Sequence, residues 1–280
     1  MKKVQIRCPS CSKIGTIEIL EDAMKSAPRG LLAVNIAKDI LCPHNFIAYI
    51  DKNLNVRDYF ISDFSIELPE ITQEEKEKIG KIPSKDILDI DLIRINIPAT
   101  LLTYILRSIF LKQKIVLLFE QEFLYRHISN FFKYISQGSF NVDMTIIAHD
   151  QYKNNKKDYK DSIVFDYLTI VKNNKKLINP KKLHIEKQIV SRFMTEGDLG
   201  YSYIVLRNDI QRAFNYAKSI VDILKNSNKD IQRNILKICV ELERRHNFKI
   251  NTMYLSFLTE IVEYYFGVKL PSITDSFLYA

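Results

Sequence analysis

Residues 114–150 read KIVLLFEQEFLYRHISNFFKYISQGSFNVDMTIIAHD, and this stretch decides the fold class. Lys114 to Phe119 is a short apolar run containing the β-branched pair Ile115 and Val116, the pattern of a buried strand. Glu122 to Ser136 then carries Leu124, Ile128, Phe131 and Ile135 at three- and four-residue steps, one face of an amphipathic helix. Met144 to Ala148 is a second apolar strand. Strand, helix and strand in so short a span make a βαβ unit, whose crossover is right-handed and whose strands run parallel. The expectation is an α/β domain over residues 92–206, with a mixed or parallel sheet, in a chain that is α+β overall.

Working outward, Ile163 to Val171 and Tyr201 to Leu206 are expected to add strands to that sheet. Residues 207–280 read as a helical section packed on the α/β domain: Asp209 to Lys225, Lys229 to His246, and Asn251 to Phe266 with Gly267 as the stop. Upstream, Pro98 stands at the first turn of a helix with Leu101, Leu102, Ile105, Leu106, Ile109 and Phe110 at helical spacing. Residues 69–91 form a charged stretch that reads as a linker. Residues 1–68 hold strand-like segments at Val4 to Arg7, Gly15 to Leu20, Leu31 to Ala37, Phe46 to Ile50 and Val56 to Leu68. Asp51 to Asn55 supplies turn chemistry for a hairpin between the last two, and Glu21 to Ala27 reads as a helix closed by Pro28 to Gly30.

The 280 residues are 46% hydrophobic and 26% charged, the range of an ordinary globular chain. No apolar run reaches the roughly 18 residues of a membrane span. Met1-Lys2-Lys3 is followed by no hydrophobic region, so a cytoplasmic location is expected. Of the four cysteines, three fall within the first 42 residues, a clustering that in a reducing compartment points to metal. Cys8-Pro9-Ser10-Cys11 has the spacing of a metal knuckle, and Cys42-Pro43-His44 offers a second arm whose two donors share one side if the segment is extended. Cys8, Cys11, Cys42 and His44 together would make a closed, structural Cys3His site for one zinc ion. Cys239 lies on an apolar helical stripe and reads as core.

Around these ligands the order Cys-Pro-x-Cys, Arg29-Gly30-Leu31, Val34-Asn35-Ile36, Cys42-Pro43-His44-Asn45-Phe46, Tyr49 to Asn53 and Val56-Arg57-Asp58-Tyr59 resembles a zinc-containing N-terminal module of uncharacterised Asgard-type archaeal proteins. The resemblance spans about a quarter of the chain and implies zinc on the four residues named, with no activity attached. A fainter resemblance concerns the helix from Pro98 to Leu111, the strand from Lys112 to Phe119 and the helix and strand that follow. Their order is similar to the central part of DENN domains, which act on small GTPases, and implies a GTPase-binding or trafficking role to be tested.

Chemistry elsewhere is sparse. GxxxxGK[ST] and GxGxxG are both missing from the sequence, which excludes a standard P-loop. His149 and Asp150 follow a strand at the end where open α/β sheets place ligands, Asp166 sits in a strand-like run, and His127 lies beside the apolar stripe of its helix. The net charge of +8 is concentrated in residues 152–187, where ten lysines face four acidic residues, a surplus of six. There Tyr152, Tyr159 and Tyr167 alternate with Lys153, Lys156, Lys157 and Lys160, and Lys172, Lys175, Lys176, Lys181 and Lys182 continue the series. Such a mixture suits stacking and phosphate contacts to single-stranded nucleic acid. By elimination the expected function is that of a non-catalytic, zinc-stabilised adaptor with a protein partner. The alternatives are nucleic-acid binding by the lysine-rich region and an enzyme site near His149.

Overall fold

The computed structural model describes residues 2–20, 23, 31–61, 84, 88–173, 176–227, 229–232 and 234–271. The expected helix over 21–27 lies outside these apart from Ala23, as do residues 62–68 of the last N-terminal strand and nearly all of the expected linker.

The first half of the N-terminal region is an antiparallel hairpin of β1 (Lys2–Arg7) and β2 (Ile14–Ile19). Strands β3 (Leu31–Ile36), β4 (Phe46–Asp51) and β5 (Val56–Ile61) then form an antiparallel sheet with β4 in the centre. The β4–β5 turn is closed by Asp51, whose carboxylate accepts from the amides of Asn53 and Asn55. Strand β4 has no polar alternation because both its faces are covered. Phe46, Ala48 and Ile50 pack with Val4, Ile6 and Ile19 of the hairpin, while Ile47 and Tyr49 join the main core on the other side.

That main core is organised by α1 (Ile90–Asn96) and α2 (Ala99–Phe110). Every residue of α2 except Thr100 is buried, so the helix is enclosed all round instead of presenting one apolar stripe. Two of its polar residues are satisfied locally: Thr103 donates to the Ala99 carbonyl and Ser108 to that of Tyr104. Arg107 pairs with the buried Glu186 at 3.0 Å and with Glu260. Among the described residues no single helix is long and apolar enough to cross a membrane; α1 and α2 pass that test only as a pair bent by 108°.

The βαβ unit is present as β6 (Lys114–Leu118), α3 (Glu122–Ile135) and β7 (Asp143–Ile147), followed by α4 (His149–Asn154), β8 (Ser162–Asp166) and β9 (Thr169–Lys172). The strand order is β7-β6-β8-β9; β6 is parallel to both neighbours and β9 antiparallel to β8, which makes the sheet mixed. The fold is thus α/β behind a β-rich N-terminal region. The expected single strand over Ile163 to Val171 is in fact two, because Tyr167 adopts a left-handed turn conformation with φ of 51°.

After a 3-10 turn at Pro180–Lys182 come α5 (His184–Thr195), α6 (Leu199–Asn226), α7 (Lys229–Gln232), α8 (Ile235–His246) and α9 (Thr252–Tyr264). The strand expected over Tyr201 to Leu206 is instead the start of the 28-residue helix α6. Asp198 caps it by accepting from the Tyr201 amide, and Ser202, Tyr203, Val205, Leu206, Asp209 and Ile210 are buried at helical steps. A six-residue window with four aromatic or β-branched residues imitates a strand when its cap and longer period are overlooked. Likewise the helix expected over Lys229 to His246 is broken at Asn234, whose side chain accepts from the amides of Leu236 and Lys237 and starts α8 afresh.

Candidate functional site

The candidate metal ligands sit in two turns. In the β1–β2 turn the Cys8 amide donates to the Lys13 carbonyl and the Ser12 amide to the Cys8 carbonyl, with Ser12 left-handed at φ of 63°. In the β3–β4 connection the Asp39 amide donates to the Cys42 carbonyl at 2.9 Å, and Asp39 has φ of 71°. Residues 41–43 form a bend and not the extended arm expected; turning the chain at Pro43, it still brings Cys42 and His44 to one spot. One donor atom from each of Cys8, Cys11, Cys42 and His44 lies within 4.8 Å of the other three. In a tetrahedral site with bonds of about 2.3 Å the sulfurs would be about 3.8 Å apart, so the four donors fit around one ion. His44 Nδ1 is buried and meets no hydrogen-bond partner in the protein, as expected of a nitrogen aimed at a metal. Burial pushes the Cys42 thiol up to about 11. Burial raises Cys8 too, but hydrogen bonds from the Cys11 and Ser10 amides outweigh it and hold that thiol below its usual value. Gly15 lies against the second turn: a Cβ there would require the Leu41 side chain to shift.

A second constellation stands at the carboxyl end of the mixed sheet. Strand β6 leads to β7 on one side, and β7 leads to β8 on the other side of β6, so the chain switches direction around β6. The residues just past the three parallel strands meet there. His149 Nδ1 pairs with Glu120 Oε1, which also accepts from the His149 backbone amide, and His149 Nε2 lies 3.0 Å from Asp166 Oδ1. Hydrogen bonds to Glu120 and Asp166 raise the His149 pKa above its usual value, and the same bond to His149 lowers that of Glu120. The two carboxylates occupy opposite ring nitrogens, so the trio is an ion-paired strut across three strand ends. Sequence reasoning singled out His149 and Asp166 but missed Glu120, whose position directly after Phe119 at the end of the central strand was the available signal. Asp150, also expected there, points elsewhere and pairs with Lys153 at 3.3 Å. His127 is half-buried, with Nδ1 enclosed, and belongs to α3 away from this group. Cys239 packs against the main core, and burial pushes its thiol up to about 11.

The lysine-rich region is exposed at Lys153, Lys156, Lys157, Lys160, Lys176, Lys181 and Lys182, while Lys175 lies outside the described residues. Its aromatic component differs from expectation. Tyr152 is only 9% exposed and packs with Tyr159 under the sheet against Val116, Leu118 and Val164. Lys156 lies over the Tyr152 ring and Lys172 donates to the Tyr159 carbonyl. Of the three tyrosines only Tyr167 keeps an open face for stacking, because Tyr152 and Tyr159 fill the gap between α4 and the sheet. Compared with known proteins, the sequence matches no family profile and no curated protein.

Proposed function

We propose that the chain is a zinc-stabilised adaptor or scaffold that works by binding another protein in a cytoplasmic assembly. Three thiolates and an imidazole complete a tetrahedron and leave no position for substrate, and this donor set favours zinc. The observation that carries the protein-binding reading is the edge of the mixed sheet that is left open among the described residues. Strand β9 ends the strand order, and Tyr167, Leu168 and Val171 beside it remain 43, 38 and 45% exposed. An edge strand with uncovered apolar side chains is a template on which a partner can add a strand. Capture from a nuclease-treated lysate should yield a protein partner, with small GTPases the first to assay. The double variant Leu168→Asp, Val171→Asp should lose that partner while keeping its metal. Undiminished capture by the variant would refute the edge as the contact, and nucleic acid lost at moderate salt would move the function to the lysine face.

One observation favours a second reading, acid–base chemistry at His149. Glu120 grips both the backbone and the ring of His149, as a carboxylate that orients a catalytic imidazole does, and Asp166 holds the other nitrogen. A substrate displacing Asp166 would meet an oriented proton donor. His149→Gln abolishing a turnover found by substrate screening would establish it; unchanged turnover would dismiss it.

A further inference from the structure

At the end of the sheet opposite His149, a cleft of about 520 Å³ lies between the last turns of α3, the loop 136–142 and the start of β7. Its volume is that of a small-ligand site. One wall is polar, with Ser129, Lys133, Ser136 and Ser139; the other is apolar, with Phe140, Val142 and Met144. Lys133 is the only charged side chain lining it among the described residues.

Two features separate this cleft from an ordinary dent in the surface. Ser136 is 3% exposed, yet its hydroxyl meets no hydrogen-bond partner. Buried hydroxyls are nearly always paired, so an unpaired one lining a cleft asks for a ligand. The cleft is also built in advance. Phe140 is clamped by Phe110, Phe214 and Tyr265 at centroid distances of 5.0, 5.2 and 5.0 Å, and the Asn141 amide donates to the Tyr265 hydroxyl. A helix carboxyl end normally repels anions. Here several carbonyls at that end are already engaged: Phe132 and Tyr134 by the Ser136 amide, Ser136 by the amide and hydroxyl of Ser139, and Gln137 by Gln211. The charge left facing the cleft is that of Lys133.

We propose that this cleft binds a small amphipathic anion, with its charged head on Lys133 and the hydroxyls of Ser129 and Ser136 and its apolar part on Phe140, Val142 and Met144. The test is a titration of the full-length, isotope-labelled chain, read by amide resonances, with phenyl phosphate, benzoate and inorganic phosphate as probes. Saturable shifts confined to residues 129–144 are expected, with phenyl phosphate about tenfold tighter than inorganic phosphate because the ring gains the apolar wall. Lys133→Met should weaken binding about tenfold or more, the loss of one charge-assisted contact. Ser136→Ala should weaken it severalfold while leaving the fold intact, since it deletes a group that has no partner in the free protein. Benzoate equal to phenyl phosphate would assign a carboxylate-type head, and a strong preference for phenyl phosphate a phosphate ester. Shifts scattered along Lys153 to Lys182, or indifferent to Lys133→Met, would mean unspecific attraction to a basic chain and would overturn the proposal.

Discussion

The two histidines of the candidate sites report on their surroundings in opposite ways. His149 is held between Glu120 and Asp166, and both bonds favour its charged form, so its folded pKa is raised. The stabilising contribution of such a group is complete below the ordinary histidine pKa and disappears as pH rises through the raised value. Asp150 also acts on Glu120, raising its pKa slightly against the dominant His149 bond. Following the His149 ring resonances against pH should therefore show a midpoint above the ordinary range. Glu120→Gln should lower it most and Asp166→Asn less; a midpoint unmoved by either variant would remove the strut from the description. His44, by contrast, has a buried nitrogen without a protein partner. His44→Ala should cut bound metal from about one ion per chain to far less, as measured by elemental analysis, because three thiolates alone leave the tetrahedron open.

At the scale of elements, the joint between the N-terminal sheet and α2 depends on Asp58 of β5. Helix α2 begins after Pro98, which offers no side-chain cap. Asp58 supplies one from another element: its carboxylate accepts from the Thr100 amide at 3.1 Å and from the Thr100 hydroxyl at 3.3 Å. Burial raises the Asp58 pKa, partly offset by those donors and by the Tyr59 amide. Asp58→Ala should cost about 1–2 kcal/mol in urea unfolding, the usual value of a lost cap, whereas Asp58→Asn, which keeps an acceptor, should cost less. Equal losses would show that shape and not hydrogen bonding is at stake. None of this can be read along the chain, because Asp58 and Thr100 are 42 residues apart and nothing in either local pattern announces the pairing. The legible parts were those written in local periodicity and spacing. The βαβ unit around Ile115, Ile128 and Ile146, the Cys-x-x-Cys knuckle and the cap-and-glycine ends of α9 follow from residues within a few turns of one another. What depends on convergence in space was not legible: Glu120 beside His149, the broken edge at Tyr167, and the burial of Tyr152 and Tyr159, which a charged, aromatic sequence presents as a surface.

For the molecule as a whole, the question is how far loss of the metal would spread. Among the described residues the cluster around the four donors has nine buried members, and two of them, Cys8 and Cys42, are themselves candidate ligands. A structural zinc site contributes on the order of 10 kcal/mol, more than so small a cluster can replace. The hairpin β1–β2 holds Cys8 and Cys11 in its turn and otherwise meets the rest through Val4, Ile6 and Ile19, the Gly15–Leu41 contact and the Arg7 amide on the Tyr59 hydroxyl, so a metal on the four donors would be its main tie to the β3–β4 connection. Strand β4 does not depend on it, because Ile47 and Tyr49 anchor it in the main core with α1 and α2, and Phe60 of β5 joins them there. Chelation should accordingly open the protein unevenly. Amide exchange should accelerate sharply over residues 2–19 and 37–45, moderately along β3, and little along β4, α2 and β6. The helical circular dichroism signal should hardly change, since every described helix longer than one turn lies beyond residue 89. Uniform loss of protection would instead mean that the metal holds the whole chain through β4, and no change at all would mean that the four donors are held together by the fold alone. Of these three outcomes the two-faced burial of β4 selects the first: one face loses its support when the metal leaves, and the other keeps the strand in register with the core.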